Sequence, residues 1–144
     1  MRSIALEKDV YHIGVFFVII NRARQYGKTT TLVALRKYLS DAYEVILLDF
    51  QGIGTEGFQT EQRFVKAFCR LLVEKKKSGL TFSHEVDKAF SDILERESRE
   101  ADLLELFSVI TDWCRTAKKE IVLLVDEVDS ASNNQVFLDF LSQL

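Results

Sequence analysis

At 144 residues the chain is long enough for one domain with a single core. Apolar residues at 47%, with eleven Phe beside one Trp and four Tyr, exclude a disordered tail. A net charge of −3 argues against electrostatically driven, non-specific nucleic-acid binding, so direct nucleic-acid binding is not expected.

In chain order, the first predicted element is a strand from Val15 to Ile20, the longest uninterrupted apolar run and far too short to cross a membrane. No charged lead, apolar stretch and small-residue cleavage site precede it, so no signal peptide is read and a cytoplasmic protein is expected. A helix follows from Thr30 to Leu39, with Leu32, Leu35 and Leu39 on one face. A second strand runs from Val45 to Phe50, and Gly52, Gly54 and Gly57 mark a loop behind it. The span Glu61 to Lys77 is a helix with Thr60 as N-cap and Phe64, Val65, Phe68, Leu71 and Leu72 buried. Its Lys75-Lys76-Lys77 ending suits a solvated helix C-terminus better than a nucleic-acid patch.

Another helix starts after Ser83 and buries Val86, Ala89, Phe90, Ile93 and Leu94. A further one, Ala101 to Lys118, buries Leu103, Leu106, Phe107, Ile110 and Cys114. The third strand is Ile121 to Val125, and the last helix is Gln135 to Leu144, with a stripe of Val136, Phe137, Phe140, Leu141 and Leu144. The three strands are β-branched or aromatic-rich without polar alternation, as strands covered on both faces are. Strands alternating with helices predict an α/β domain with a parallel sheet. Cys69 and Cys114 read as two buried free thiols, and His12 and His84 have no ligand spacing, so no histidine metal site is expected.

The chemistry concentrates in two places. The segment NRARQYGKTTTL, Asn21 to Leu32, leaves the first strand and enters the first helix. There the free amides of a helix N-terminus face an anion, helped by the helix dipole. Gly27 permits close backbone approach, Lys28 reaches the β- and γ-phosphates, and the Thr29 hydroxyl can ligate magnesium. The amides from Arg24 through Gln25, Tyr26, Gly27 and Lys28 to Thr29, continuing to Thr30, form the expected nucleotide cradle. Gly-Lys-Ser/Thr alone occurs by chance in about one chain in ten to twenty of this length, so the strand–loop–helix context carries the reading. The usual earlier glycine is replaced by Arg22, which either adds positive potential together with Arg24 or belongs to an exposed loop.

The second place is Ile121 to Asp129, IVLLVDEVD, an apolar strand ending in acids. Asp126 falls at the carboxyl end of the strand, where open α/β sheets bind ligands, and can hold magnesium. Glu127 is then placed to orient or deprotonate an attacking water. Asp129 reads as part of an exposed turn, and Asp49 with Gln51 as strand-end loop chemistry near the same edge.

With these residues in hand, the chain resembles the AAA-like ATPases of bacteria and archaea whose phosphate loop reads Asn-Arg-x-Arg-x-x-Gly-Lys-Thr. They belong to the P-loop class with an extra catalytic glutamate. The resemblance spans Phe16 to the C-terminus and rests on Asn21, Arg22, Arg24, Gly27, Lys28, Thr29 and Thr30, on Asp49-Phe50-Gln51-Gly52, and on Asp126-Glu127. It makes Arg22 a family trait. It implies a three-layer P-loop NTPase core with ATP and magnesium as ligands and hydrolysis as the activity. Lys28 and Glu127 would be catalytic, and Thr29 and Asp126 the metal ligands. Expected partners are the nucleotide, a second copy of the chain, or a fused or separate effector domain.

In that class a later strand inserts between the acidic strand and the phosphate-loop strand. The sequence ends at Leu144 before any such strand, so residues 1–144 are expected to form a single truncated ATPase domain with an incomplete sheet. Either the two motifs then stand too far apart, or the third strand closes on the first. The resemblance thus implies ATP binding, with hydrolysis by the completed domain. The alternatives are a nucleotide-dependent switch without useful turnover, a small-molecule kinase, and an inert remnant.

Overall fold

The structure, a computed structural model, describes residues 15–19, 28–97, 101–126 and 134–143, with 15–19 and 28–31 described through their backbone. The three apolar runs form strands β1 (Val15–Ile19), β2 (Tyr43–Asp49) and β3 (Glu120–Asp126), all parallel, in the order β1-β3-β2. In β3, Ile121 to Val125 are at most 3% exposed, whereas Tyr43, Glu44 and Leu47 of β2 are half-buried. The strand that is apolar on both faces takes the middle, where each face is covered and each edge is paired.

Side chains of the two strands alternate between two separate clusters. Val45, Val122 and Leu124 pack with Leu32, Leu35 and Leu39 of α1 (Lys28–Leu39) on one face. Ile46, Leu48, Ile121, Leu123 and Val125 face a larger core on the other. That core is built by Phe50, Ile53 and Phe58, which flank the short α2 (Gly54–Gly57), and by α3 (Glu61–Glu74), α4 (His84–Glu95), α5 (Leu103–Thr116) and α6 (Gln135–Ser142). The result is the expected three-layer α/β arrangement. The crossover from β1 to β2 and the return from β2 to β3 run in opposite directions on opposite faces. Both therefore have the same hand, as the single-handed rule for parallel connections requires.

Local chemistry sets the helix starts. Thr60 accepts from the Arg63 amide at 3.2 Å, Ser83 from Val86 at 3.3 Å and Asp102 from Glu105 at 2.8 Å. Each cap is followed by an amphipathic stripe; that of α4 turns Phe90 to Phe82 and Trp113, and those of α3 and α5 meet α6 over seven phenylalanines. Phe50 and Phe58 behind β2, Phe64 and Phe68 of α3, Phe107 of α5, and Phe137 and Phe140 of α6 touch ring to ring.

Several expectations are corrected. Phe50 does not end a strand: β2 stops at Asp49, and Phe50–Ile53 form a 3-10 turn that buries Phe50 beneath the chain. α3 ends at Glu74, and Lys75–Ser78 continue as a second 3-10 turn closed by Gly79 at φ 102°. In α5, Leu103, Leu106 and Ile110 are buried as expected and Val109 and Trp113 join them, while Phe107 and Cys114 are half-buried. β1 lies directly against β3, from Val15↔Ile121 to Ile19↔Val125, with no gap between them.

Candidate functional site

In a parallel sheet all strands end at one edge, so β1, β2 and β3 deliver Ile19, Asp49 and Asp126 to the same rim. Asp49 and Asp126 are register partners, on neighbouring strands about 4.8 Å apart. Parity puts both carboxylates on the α1 face, since Val45 and Leu47 precede Asp49, and Val122 and Leu124 precede Asp126, on that side. Asp126 is half-buried at the end of its strand, and Asp49 is exposed.

The direction of α1 follows from its far end. Lys119, just before β3, donates from Nζ to the Ser40 carbonyl at 3.1 Å, and Leu39 packs with Tyr43 at the start of β2. The C-terminus of α1 thus lies at the starting edge of the strands. Twelve residues rising about 1.5 Å each carry the helix back to the opposite rim. Lys28, Thr29 and Thr30 are its first three residues, so their backbone amides lie at the rim and on the face that carry Asp126. A helix N-terminus leaves such amides without intrahelical acceptors, and its dipole favours an anion.

Asn21, Arg22, Arg24, Gln25, Tyr26, Gly27, Glu127 and Asp129 lie outside the described residues, as does His12. Asp49 accepts from the Gln51 amide at 2.9 Å and caps the 3-10 turn, which is the ordinary strand-end chemistry expected of it. Among the described residues no cluster of His, Cys, Asp and Glu suited to a metal ion is found. Cys69 and Cys114 are free thiols, with Cys69 buried as expected and Cys114 half-buried. Burial pushes Cys69 up to about 12, with a further contribution from Glu105, and Cys114 up to about 11. Both remain protonated, which excludes either as a ready nucleophile.

The sequence reading passed over Asn134. Its Oδ1 accepts from Phe137 at 3.3 Å and caps α6, while its Nδ2 donates to the Phe58 carbonyl at 2.9 Å. It thereby ties the start of α6 to the chain leaving β2. An Asn directly before an amphipathic stripe is the signal that would have found it. Two cavities among the described residues lie at the other end of the sheet, one against β2 and one between Val86 and Val109, away from Asp126.

The fold and this rim define an open α/β protein with a helix N-terminus and an acidic strand end at the edge where such sheets take ligands. The AAA-like domain family matches residues 5–144, and the chain belongs to that family. No curated protein and no solved structure matches the chain. Among the described residues no helix is long and apolar enough to cross a membrane.

Proposed function

We propose that this AAA-like domain is a P-loop ATPase module that binds ATP with magnesium at the carboxyl rim of its sheet. The observation that supports the reading is the shared rim and face of the first turn of α1 and Asp126. The donor chemistry fits the metal: a threonine hydroxyl and a carboxylate are the hard oxygen ligands magnesium prefers. Thr29 and Asp126 would hold it, and bound there it neutralises charge on the phosphates.

The chain's own residues do the rest. The amides from Arg24 to Thr30, passing Gln25, Tyr26 and Gly27, cradle the phosphate oxygens, and the Lys28 ammonium compensates their charge. Glu127, next after Asp126, accepts a proton from the water that attacks the terminal phosphate.

Titration of the chain with a fluorescent ATP analogue, with and without magnesium, tests binding. Lys28→Ala should weaken it at least about tenfold, the scale of one lost charge-assisted contact. Equal binding by both proteins, with or without magnesium, would refute the assignment. Single-turnover hydrolysis compared with Glu127→Gln then separates an ATPase, which loses its rate, from a switch, which shows no difference.

A further inference from the structure

β2 is an edge of the sheet: it pairs with β3, and no other strand flanks it among the described residues. Four consecutive residues of it, Glu44, Val45, Ile46 and Leu47, line one cavity of about 130 Å³. Successive side chains of a strand point to opposite faces, so a cavity touched by four in a row runs along the main-chain edge. Val45 and Ile46 are 8% and 4% exposed, main chain included, so what little surface they offer opens into this slot. A strand paired on one side directs the N–H and C=O of alternate residues outward. No turn or loop backbone among the described residues bonds to Glu44–Leu47. The volume is well below the roughly 300 Å³ at which small-molecule sites begin, so the slot suits a main chain rather than a compact ligand.

The walls carry charge. Arg36 of α1 stands on one side, and Lys75 and Gly79 of the turn behind α3 on the other. Neither cation is in an ion pair among the described residues. Glu44 is the single carboxylate of the lining, against two cations, in a chain of net charge −3. Lys76, by contrast, is engaged by Asp87 at 2.6 Å, and of the run Lys75-Lys76-Lys77 only Lys75 lines the slot.

We propose that the edge of β2, unpaired by any strand among the described residues, docks an extended acidic segment of a partner polypeptide by strand addition. The main chain of the segment satisfies the outward groups of Glu44–Leu47. Because its side chains alternate, one carboxylate turns toward Arg36 and the next toward Lys75. A second copy of this chain would bring one acid, Glu44, among Val45, Ile46 and Leu47, and so leaves the cations poorly matched. A nucleic acid has no ladder of amides to pair with the edge.

The test uses a labelled peptide of alternating Val and Thr around a Glu-Glu pair, and the same peptide with Lys-Lys, followed by fluorescence anisotropy. The acidic peptide should bind, less tightly at high salt, and slow amide exchange within Tyr43–Asp49. The double variant Arg36→Glu, Lys75→Glu, with an unchanged circular dichroism spectrum, should weaken it at least about tenfold. Four results would overturn the proposal. These are no binding of the acidic peptide, equal binding of the two peptides, no effect of the double variant, or protection of β2 by a labelled oligonucleotide in place of the peptide. Concentration-dependent protection of β2 without peptide, matched by dimer sedimentation, would reassign the edge to self-pairing and overturn it as well.

Discussion

Phe50 is the residue through which the rim is tied to the helical layer, and its removal is the sharpest test of that layer. It is 0% exposed and meets Phe58, Phe64, Phe68 and Phe137 at centroid distances of 6.2, 6.1, 6.2 and 5.8 Å. Three of the four contacts are edge-to-face, the arrangement the ring quadrupole favours. Burying a phenylalanine is worth about 1.5–3 kcal/mol, and truncation to alanine adds the cavity, for about 3–5 kcal/mol in all. Four rigid aromatic neighbours cannot collapse far, which places Phe50→Ala near 4 kcal/mol, about the upper part of that range. Against a typical stability of about 5–15 kcal/mol and a urea slope of about 2 kcal/mol per molar, the midpoint should fall by about 2 M. Phe50→Leu keeps most of the volume and should lose about 1–2 kcal/mol.

Urea unfolding followed by the fluorescence of Trp113, the single tryptophan, is the assay. Trp113 sits 5.3 Å from Phe82 and 6.3 Å from Phe90, in a different aromatic group from Phe50, so it reports whether the loss is transmitted through one cooperative core. A loss below about 1.5 kcal/mol for the alanine variant would refute the hub, being less than the transfer term alone. So would a fluorescence midpoint that stays put while circular dichroism shifts.

Other predictions follow from single contacts. Asn134→Ala removes both a helix cap and the donor to Phe58, about 1 kcal/mol each. Asn134→Asp retains the cap and should recover about half of that loss in the same urea assay. Gly57→Ala builds a Cβ 2.3 Å from Cγ2 of Ile53, a 9%-exposed, branched side chain that cannot swing aside. It should cost about 1–3 kcal/mol as an overpacked site, and a neutral result would show that the segment shifts freely. The thiols set an alkaline limit. With Cys69 raised to about 12 and Cys114 to about 11 from 9.0, the folded state favours the neutral forms. That contribution is whole below pH 9 and is lost as pH climbs through 11 and 12, so unfolding midpoints should drop across that window and less so in Cys69→Ser. At pH 8 an aromatic disulfide reagent should label Cys114 ahead of Cys69, and both at once in urea.

The helices were legible because caps and stripes are local. Thr60 and Ser83 announce α3 and α4, and the buried faces of both fall where their spacing puts them. In α5 the spacing places Leu103, Leu106 and Ile110 correctly but not Phe107 and Cys114. The run Leu103, Leu106, Phe107, Ile110, Cys114 and the run Leu103, Leu106, Ile110, Trp113 are both helical stripes. What chooses between them is distant: Phe82 and Phe90 receive Trp113, and Phe140 stacks on Phe107 at 5.4 Å from the flank. Phe50 misled for a related reason. An aromatic residue at the end of a β-branched run extends a strand by propensity, and only the Asp49 cap on Gln51 and the four waiting rings turn it into a buried corner.

The rim shows where local reading stops. That Asp49 and Asp126 each close an apolar run is visible in the chain. That they stand side by side on the α1 face depends on strand order and register, which no local pattern states. The order does leave one physical trace. Ile121 to Val125 carry no polar residue, whereas Tyr43 and Glu44 open the second strand; that separates β3 from β2 as the centre of a sheet covered on both faces, but not from β1, whose Val15–Ile19 are equally apolar. Once β3 is central, the β1-to-β2 crossover must pass over it, and α1 lies against Val122 and Leu124. Its first turn then reaches the rim and the face that carry Asp126. The juxtaposition on which nucleotide binding is proposed is therefore a consequence of the central place of β3. Placing a charge at Val122 or Leu124 should disturb that rim sooner than it disturbs the larger core on the opposite face.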